Sequence, residues 1–316
     1  MSFPSVSLLN VTVRELIEDS ALQAKGMKLI ADRVDAAASV SMMDLSVEAE
    51  TFGSEIRFSD DEVPTVIGAL VHDLDEANAL AVPQVGAGRT GRYIEAISLA
   101  CKAITDRPVL AGVIGPFSLA GRLMDVTEAL VNCLTEPEMV HVIMRKVTDF
   151  LIEYIRAYKA VGANGVVIAE PLTGLLSPDL AAEFSSPYVL EISQAVRSDD
   201  FIVMYHNCGN NTLLMTEAIL ATQCDCYHFG NSISMRSMLE KMPKDIPILG
   251  NLDPAGQLRN GTPESVREET LRIMNECCPD YPNFIISSGC DIPPMSSWKN
   301  IDAFFAAVVE YYQSKK

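Results

Sequence analysis

The run "TEPEMVHVIMRKVTDFLIEYIRAYKAVGANGVVIAEP", residues 135–171, decides the fold class. Val140, Ile143, Val147, Phe150, Leu151, Tyr154 and Ile155 recur at the spacing of one helical face. Thr135 and Glu138 have the pattern of a capping box at its start, and Gly162 stands where such a helix would stop. "GVVIAEP" then reads as a short buried strand that ends at Glu170-Pro171. A long amphipathic helix feeding a strand that is apolar throughout points to α/β architecture with parallel strands.

The same alternation extends in both directions. Strand-like runs occur at "VSMMDL" (40–45), "VLAGVIGP" (109–116), "FIVMYHNCG" (201–209), "CYHFGN" (226–231), "IPILGNLDP" (246–254) and "NFIISSGCDIPP" (283–294). Helical segments separate most of them. Two open with an N-cap residue followed by proline, Ser177-Pro178 and Thr262-Pro263. Most runs are apolar in the body and change character at the C-terminal end, where Asp44, Glu170, His206, Cys208, Asp253, Cys290 and Asp291 lie. An open doubly wound sheet gathers its ligands mainly at one switch point. Chemistry spread over the ends of many strands favours a (β/α)8 TIM barrel, whose active site is built on that rim. With seven runs identified, the eighth strand is expected near "GSEIRF" (53–58), before an acidic surface loop from Asp60 that feeds a helix. No linker, repeat or low-complexity segment divides residues 1–316, so the chain reads as a single domain. Residues 1–35 form a leading helical extension, and "NIDAFFAAVVEYYQ" is a closing helix.

Composition narrows the function. The net charge of −18 and the absence of any basic run argue against nucleic acid and anionic membrane surfaces. That acidity suits a partner protein with a complementary face. The N-terminus lacks the pattern of a signal peptide, and no apolar stretch reaches the roughly 18 residues of a membrane span. The eight cysteines form no regular disulfide framework, so a reducing, cytoplasmic location is expected. Nothing sets the oligomeric state; a homo-oligomer stays open.

His206 and Cys208, two residues apart at a strand end, are the first candidates for chemistry. A strand-end histidine can also be a satisfied polar residue, and a cysteine a small buried hydrophobe. Cys290, at the end of the last strand, can face them across a closed rim. Two thiolates and an imidazole are good zinc ligands, and three protein ligands leave one position open for a reactant. "CDCYH" offers a second cluster, Cys224, Cys226 and His228, but three same-face positions span about 13 Å along a strand, too far for one ion. Packing is the better reading there. Cys277 and Cys278 read as structural. Glu170 and Asp253, with Asp44 and Asp291, are strand-end carboxylates that can orient a ligand histidine or move a proton; each can equally be an ordinary rim residue. "GAGRTG" (86–91) lacks both a preceding strand and a Walker lysine, so it is not read as a phosphate loop.

Taken together, "DLSVEAETFGSEIRFSDDEVPTV", "GPFSLAGRL", "AEPLTGLLSP", "HNCGN", "GNLDP" and "SSGCDIPP" resemble the uroporphyrinogen decarboxylase superfamily, and within it the corrinoid-dependent methyltransferase branch. The resemblance runs from about residue 10 to the end and implies a (β/α)8 barrel. It implies a zinc site at His206, Cys208 and Cys290, and a corrinoid (cobalamin) co-substrate carried on a separate corrinoid protein. It also implies a small-molecule thiol acceptor such as coenzyme M, which takes the methyl group and leaves cobalt(I). Related proteins work in reverse and demethylate an ether, amine or thioether, so the direction stays open. Decarboxylases of this fold hold their tetrapyrrole with an N-terminal arginine-rich motif. Here the first fifty residues contain only Arg14 and Arg33, in other contexts. A barrel retained as a corrinoid-binding scaffold is the remaining reading.

Overall fold

Six of the seven apolar runs hold strands of one seven-stranded parallel sheet in this computed structural model, which describes residues 2–315, and the run at 40–45 meets the remaining strand only at Val40. The strands, in chain order, are β1 (Ser39–Val40), β2 (Glu55–Arg57), β3 (Thr65–Ile67), β4 (Val109–Ile114), β5 (Gly165–Ala169), β6 (Ile202–Asn207), β7 (Cys226–Phe229), β8 (Ile248–Leu252) and β9 (Phe284–Ser288). The main sheet runs β1-β4-β5-β6-β7-β8-β9, each strand parallel to its neighbour. This succession, with helices between the strands, is that of an α/β barrel. β4 and β5 are buried along their whole length, as strands covered on both faces must be. The intervening helix, Pro137–Ala160, buries all seven of the apolar positions named above.

The expected eighth strand does not join the barrel. Glu55–Arg57 pairs instead with Thr65–Ile67 in a separate antiparallel ribbon, which also places a strand inside the acidic loop from Asp60. Both strands of the ribbon are partly exposed, and Glu55 and Arg57 are too polar for a strand covered on both faces. Among the described residues nothing pairs β9 with β1. That seam is backed by the helices Ser20–Arg33 and Trp298–Gln313, whose Met27, Ile30, Phe304 and Phe305 face the same cavity as β1 and β9. Arg33 ties the two helices with a two-pronged hydrogen bond to Asp302 (3.1 and 2.5 Å) and lies over the Trp298 ring. Trp298 Nε1 donates to Pro4 O and Ser7 Oγ. The leading helical extension is therefore part of the barrel wall.

Local signals mostly fold as read. Ser177 and Thr262 cap their helices, accepting from the backbone N–H of Leu180 and Ser265. Gly162 follows the long helix with a φ of +105°, a left-handed conformation suited to glycine. The Thr135–Glu138 box does not form. Thr135 closes the preceding helix, Val126–Thr135, and its hydroxyl donates back to Val131 O, while Pro137 starts the next helix. No helix among the described residues is long and apolar enough to cross a membrane, and all eight cysteines are free.

"GAGRTG" serves packing. Arg89 opens the helix Arg89–Ala103, and its guanidinium is buried against the carboxylates of Asp44 and Glu50 and the Ser46 hydroxyl. Asp44, a candidate for the site, is thereby committed to holding the β1 connection against this helix. Arg89→Ala would leave the Asp44 carboxylate buried without its counter-charge, so a loss of about 3–5 kcal/mol is expected in denaturant unfolding. A loss below about 1 kcal/mol, the range of an exposed pair, would contradict that role.

Candidate metal centre

Met204, His206 and Cys208 lie two residues apart along β6 and its exit, and all three line one cavity of about 480 Å³. Alternation along an extended chain puts these positions on the same face, here the inside of the barrel. Cys290, two residues beyond β9, lines the same cavity. β7 and β8 stand between β6 and β9 in the sheet, so it is the curl of the sheet that brings Cys290 to the pair. The three potential ligand atoms all lie within 4.8 Å of one another, with Cys290 Sγ 3.7 Å from His206 Nε2. Tetrahedral zinc with bonds of about 2.3 Å to sulfur and 2.0–2.1 Å to nitrogen needs an S···N separation of roughly 3.5 Å. The donor set and its spacing fit a zinc ion.

The histidine is held by a neighbour that sequence reasoning set aside as packing. β6 and β7 pair in register with His206 beside His228. His228 Nε2 lies 2.8 Å from Ser288 O and 3.2 Å from Ser287 Oγ. The carbonyl can only accept, so this nitrogen carries the proton. Burial, then the adjacent His206, pushes the His228 imidazole down to about 3, which keeps it neutral. Its Nδ1 is therefore a lone pair, 2.7 Å from His206 Nδ1. His206 must donate from Nδ1, there and toward His228 O at 3.2 Å. In the neutral ring that leaves the lone pair on His206 Nε2, directed at Cys290, the tautomer a metal needs. Cys224 and Cys226 are buried and do not line the cavity.

The turn carrying Cys208 is equally constrained. Asn207 Oδ1 accepts from Gly209 N and Thr212 Oγ1 (both 2.9 Å), an Asx-type turn. Ser232 Oγ donates to Cys208 O (2.9 Å). Gly209 directly follows the ligand Cys208. Its φ is not positive, and what it provides is a close backbone approach to Gly174, where a Cβ would collide. At Gly230, past the end of β7, an added Cβ would meet Cys208 Cβ at 2.5 Å. The two thiols share a hydrogen bond that holds Cys208 below the ordinary thiol range and, with burial, pushes Cys290 above it.

The two carboxylates expected to share this site do not reach it. Glu170 is fully buried and absent from the cavity wall; it accepts hydrogen bonds from Phe117 N, Ser118 N, Ser118 Oγ and Thr173 Oγ1. It thus anchors the start of the helix Pro116–Met124, and burial outweighs those bonds to push it up to about 7. Asp253 caps the helical turn Pro254–Arg259 through Ala255 N and Gly256 N. Asp291 does line the cavity, with one oxygen accepting from Ile292 N.

A curled parallel barrel with a His/Cys/Cys cluster opening on an interior cavity defines a class, the metal-capable α/β-barrel enzymes. The uroporphyrinogen decarboxylase family profile matches residues 6–311, and the chain belongs to that family. A methylcobamide:CoM methyltransferase of Methanosarcina acetivorans is 28% identical over 272 residues, covering 85% of this chain and 78% of that one. A uroporphyrinogen decarboxylase of Alcanivorax borkumensis is 25% identical over 288 residues, covering 87% and 79%. Among solved structures, a methyltransferase from Methanosarcina mazei superposes with a TM-score of 0.86 at 22% identity, over 98% of this chain and 91% of that one.

His228→Phe removes the acceptor that sets the His206 tautomer while filling the same space. A roughly 10–100-fold loss of zinc affinity is expected, the usual cost of losing a partner that orients a ligand, read by chelator competition. Unchanged affinity would show that the His206–His228 contact does not set the tautomer.

Proposed function

We propose that this protein is a zinc-dependent methyltransferase that moves a methyl group between a corrinoid and a small sulfur-containing substrate. The observation that carries the reading is the convergence of His206 Nε2, Cys208 Sγ and Cys290 Sγ on one cavity. Relatives bearing the name methylcobamide:CoM methyltransferase support the corrinoid half of it. Zinc, when bound, lowers the pKa of a coordinated thiol and so makes a nucleophile available at neutral pH.

The chain's own residues supply the rest. His206, locked by His228, offers a neutral nitrogen, and Cys208 and Cys290 offer two thiolates. The walls of the cavity, with Val167, Met204, Leu249 and Ile286, exclude water from the reacting sulfur. In the synthetic direction an S–C bond forms as the Co–C bond breaks; its electron pair stays with the corrinoid, and the thiol proton leaves to solvent. In the reverse direction cobalt(I) removes methyl from a methylated substrate held at the same place. The corrinoid arrives on a separate protein and covers the barrel mouth.

Decarboxylation of a tetrapyrrole is the weaker reading. Arg14 pairs with Glu18, Arg33 pairs with Asp302, and neither lines the cavity, so neither is placed to hold a porphyrinogen's carboxylates there.

The test is metal content and methyl transfer, in wild type and in Cys208→Ala and Cys290→Ala. About one zinc per chain is expected in wild type, with most of it lost in either variant while circular dichroism shows the barrel intact. Transfer from methylcobalamin to a thiol should fall by at least about a hundredfold, since loss of the metal removes its activation of the nucleophile. Full zinc and full activity in either variant would overturn the assignment.

A further inference from the structure

The cavity shared by the three ligands constrains what can enter it. Its inner wall near them is made by Val167 and Ala169 of β5, Met204 of β6, Leu249 of β8 and Ile286 of β9. Among the described residues that line it, Arg107 is the one lysine or arginine. Arg107 precedes β4, and so lies at the opposite end of the parallel strands from Cys208 and Cys290. Its guanidinium is engaged by Val34 O (2.7 Å), Ala36 O (3.1 Å) and the Asp106 carboxylate (2.7 Å).

Asp35, which precedes β1, lies at that same far end, and the charged side chain beside the ligands is Asp291, which directly follows Cys290. As thiolates, Cys208 and Cys290 would cancel the charge of a zinc ion held between them, so the occupied site would offer an anion no net positive charge. Near the cluster, Ser287 Oγ accepts from His228 Nε2 and Ser288 O is a backbone carbonyl that can only accept, so neither contact supplies a counter-charge. A sulfonate or carboxylate drawn into this space would leave water without gaining a counter-charge. An uncharged apolar group gains by the same transfer.

We infer that the substrate held at His206, Cys208 and Cys290 is an uncharged, largely apolar thiol or its methylated form, not an anionic thiol of the coenzyme M kind. This rests on the metal–thiol reading above and narrows it: the relatives' names point to a sulfonated thiol, and the cavity of this chain points away from one.

The wild-type protein tests it directly. Calorimetric titration of the zinc-loaded chain with 1-propanethiol and with 2-mercaptoethanesulfonate compares two thiols of similar length that differ in charge. Propanethiol should bind at least about tenfold more tightly, which is about 1.4 kcal/mol, and its binding should vanish in zinc-free protein. Equal or tighter binding of the sulfonate overturns the inference and leaves the metal–thiol reading standing. Binding of neither thiol to the zinc-loaded protein, or binding that persists without zinc, overturns that reading and the inference with it.

Discussion

The contact between two imidazoles on neighbouring strands is the interaction on which the site depends. His206 and His228 meet because β6 and β7 are parallel and in register, and because alternation turns both side chains inward. A slip of one residue in that pairing would turn one ring to the other face and separate them. The proton on His228 Nε2 is fixed by a strand-end carbonyl of β9, so three strands cooperate to define one lone pair on His206. Cys208 follows at the next inward position, its turn closed by the Asn207 side chain between the ligands. Thus the H-N-C sequence holds two donors and, between them, the residue that sets their geometry.

Much of this was legible from residue order because parallel strands are apolar throughout and stop abruptly. Six of the seven main-sheet strands fall within runs identified by composition alone, and β1 meets its run only at Val40. The His-x-Cys pair and the distant Cys290 were visible as donor types at strand ends, and the curl of the sheet does bring them together. The eighth strand was misplaced because Glu55–Arg57 has the length and alternation of a strand, while its partner cannot be seen locally. Glu170 misled for a related reason. A carboxylate at a strand end reads as functional, whereas here it satisfies the first N–H groups of the following helix. His228 was dismissed with Cys224 and Cys226 as a packed strand, and a register argument across β6 and β7 would have recovered it.

The missing strand bears on function as well as topology. Helices from both ends of the chain back the seam between β1 and β9, and their apolar faces extend the interior cavity. The result is a long, weakly charged space beneath two thiols and an imidazole. Its polar groups are mostly engaged with one another, so selectivity there comes from shape and from the cost of burying charge. The family relationship and the local chemistry meet at this point: a family barrel that in this chain carries a His/Cys/Cys donor set on an apolar cavity.

X-ray absorption at the zinc edge of the purified protein tests the central claim most directly. The account predicts a first shell with two sulfurs at about 2.3 Å, one imidazole nitrogen at about 2.0–2.1 Å and one further light atom. A shell of nitrogen and oxygen alone, or of four sulfurs, would place the metal away from His206, Cys208 and Cys290 and contradict it.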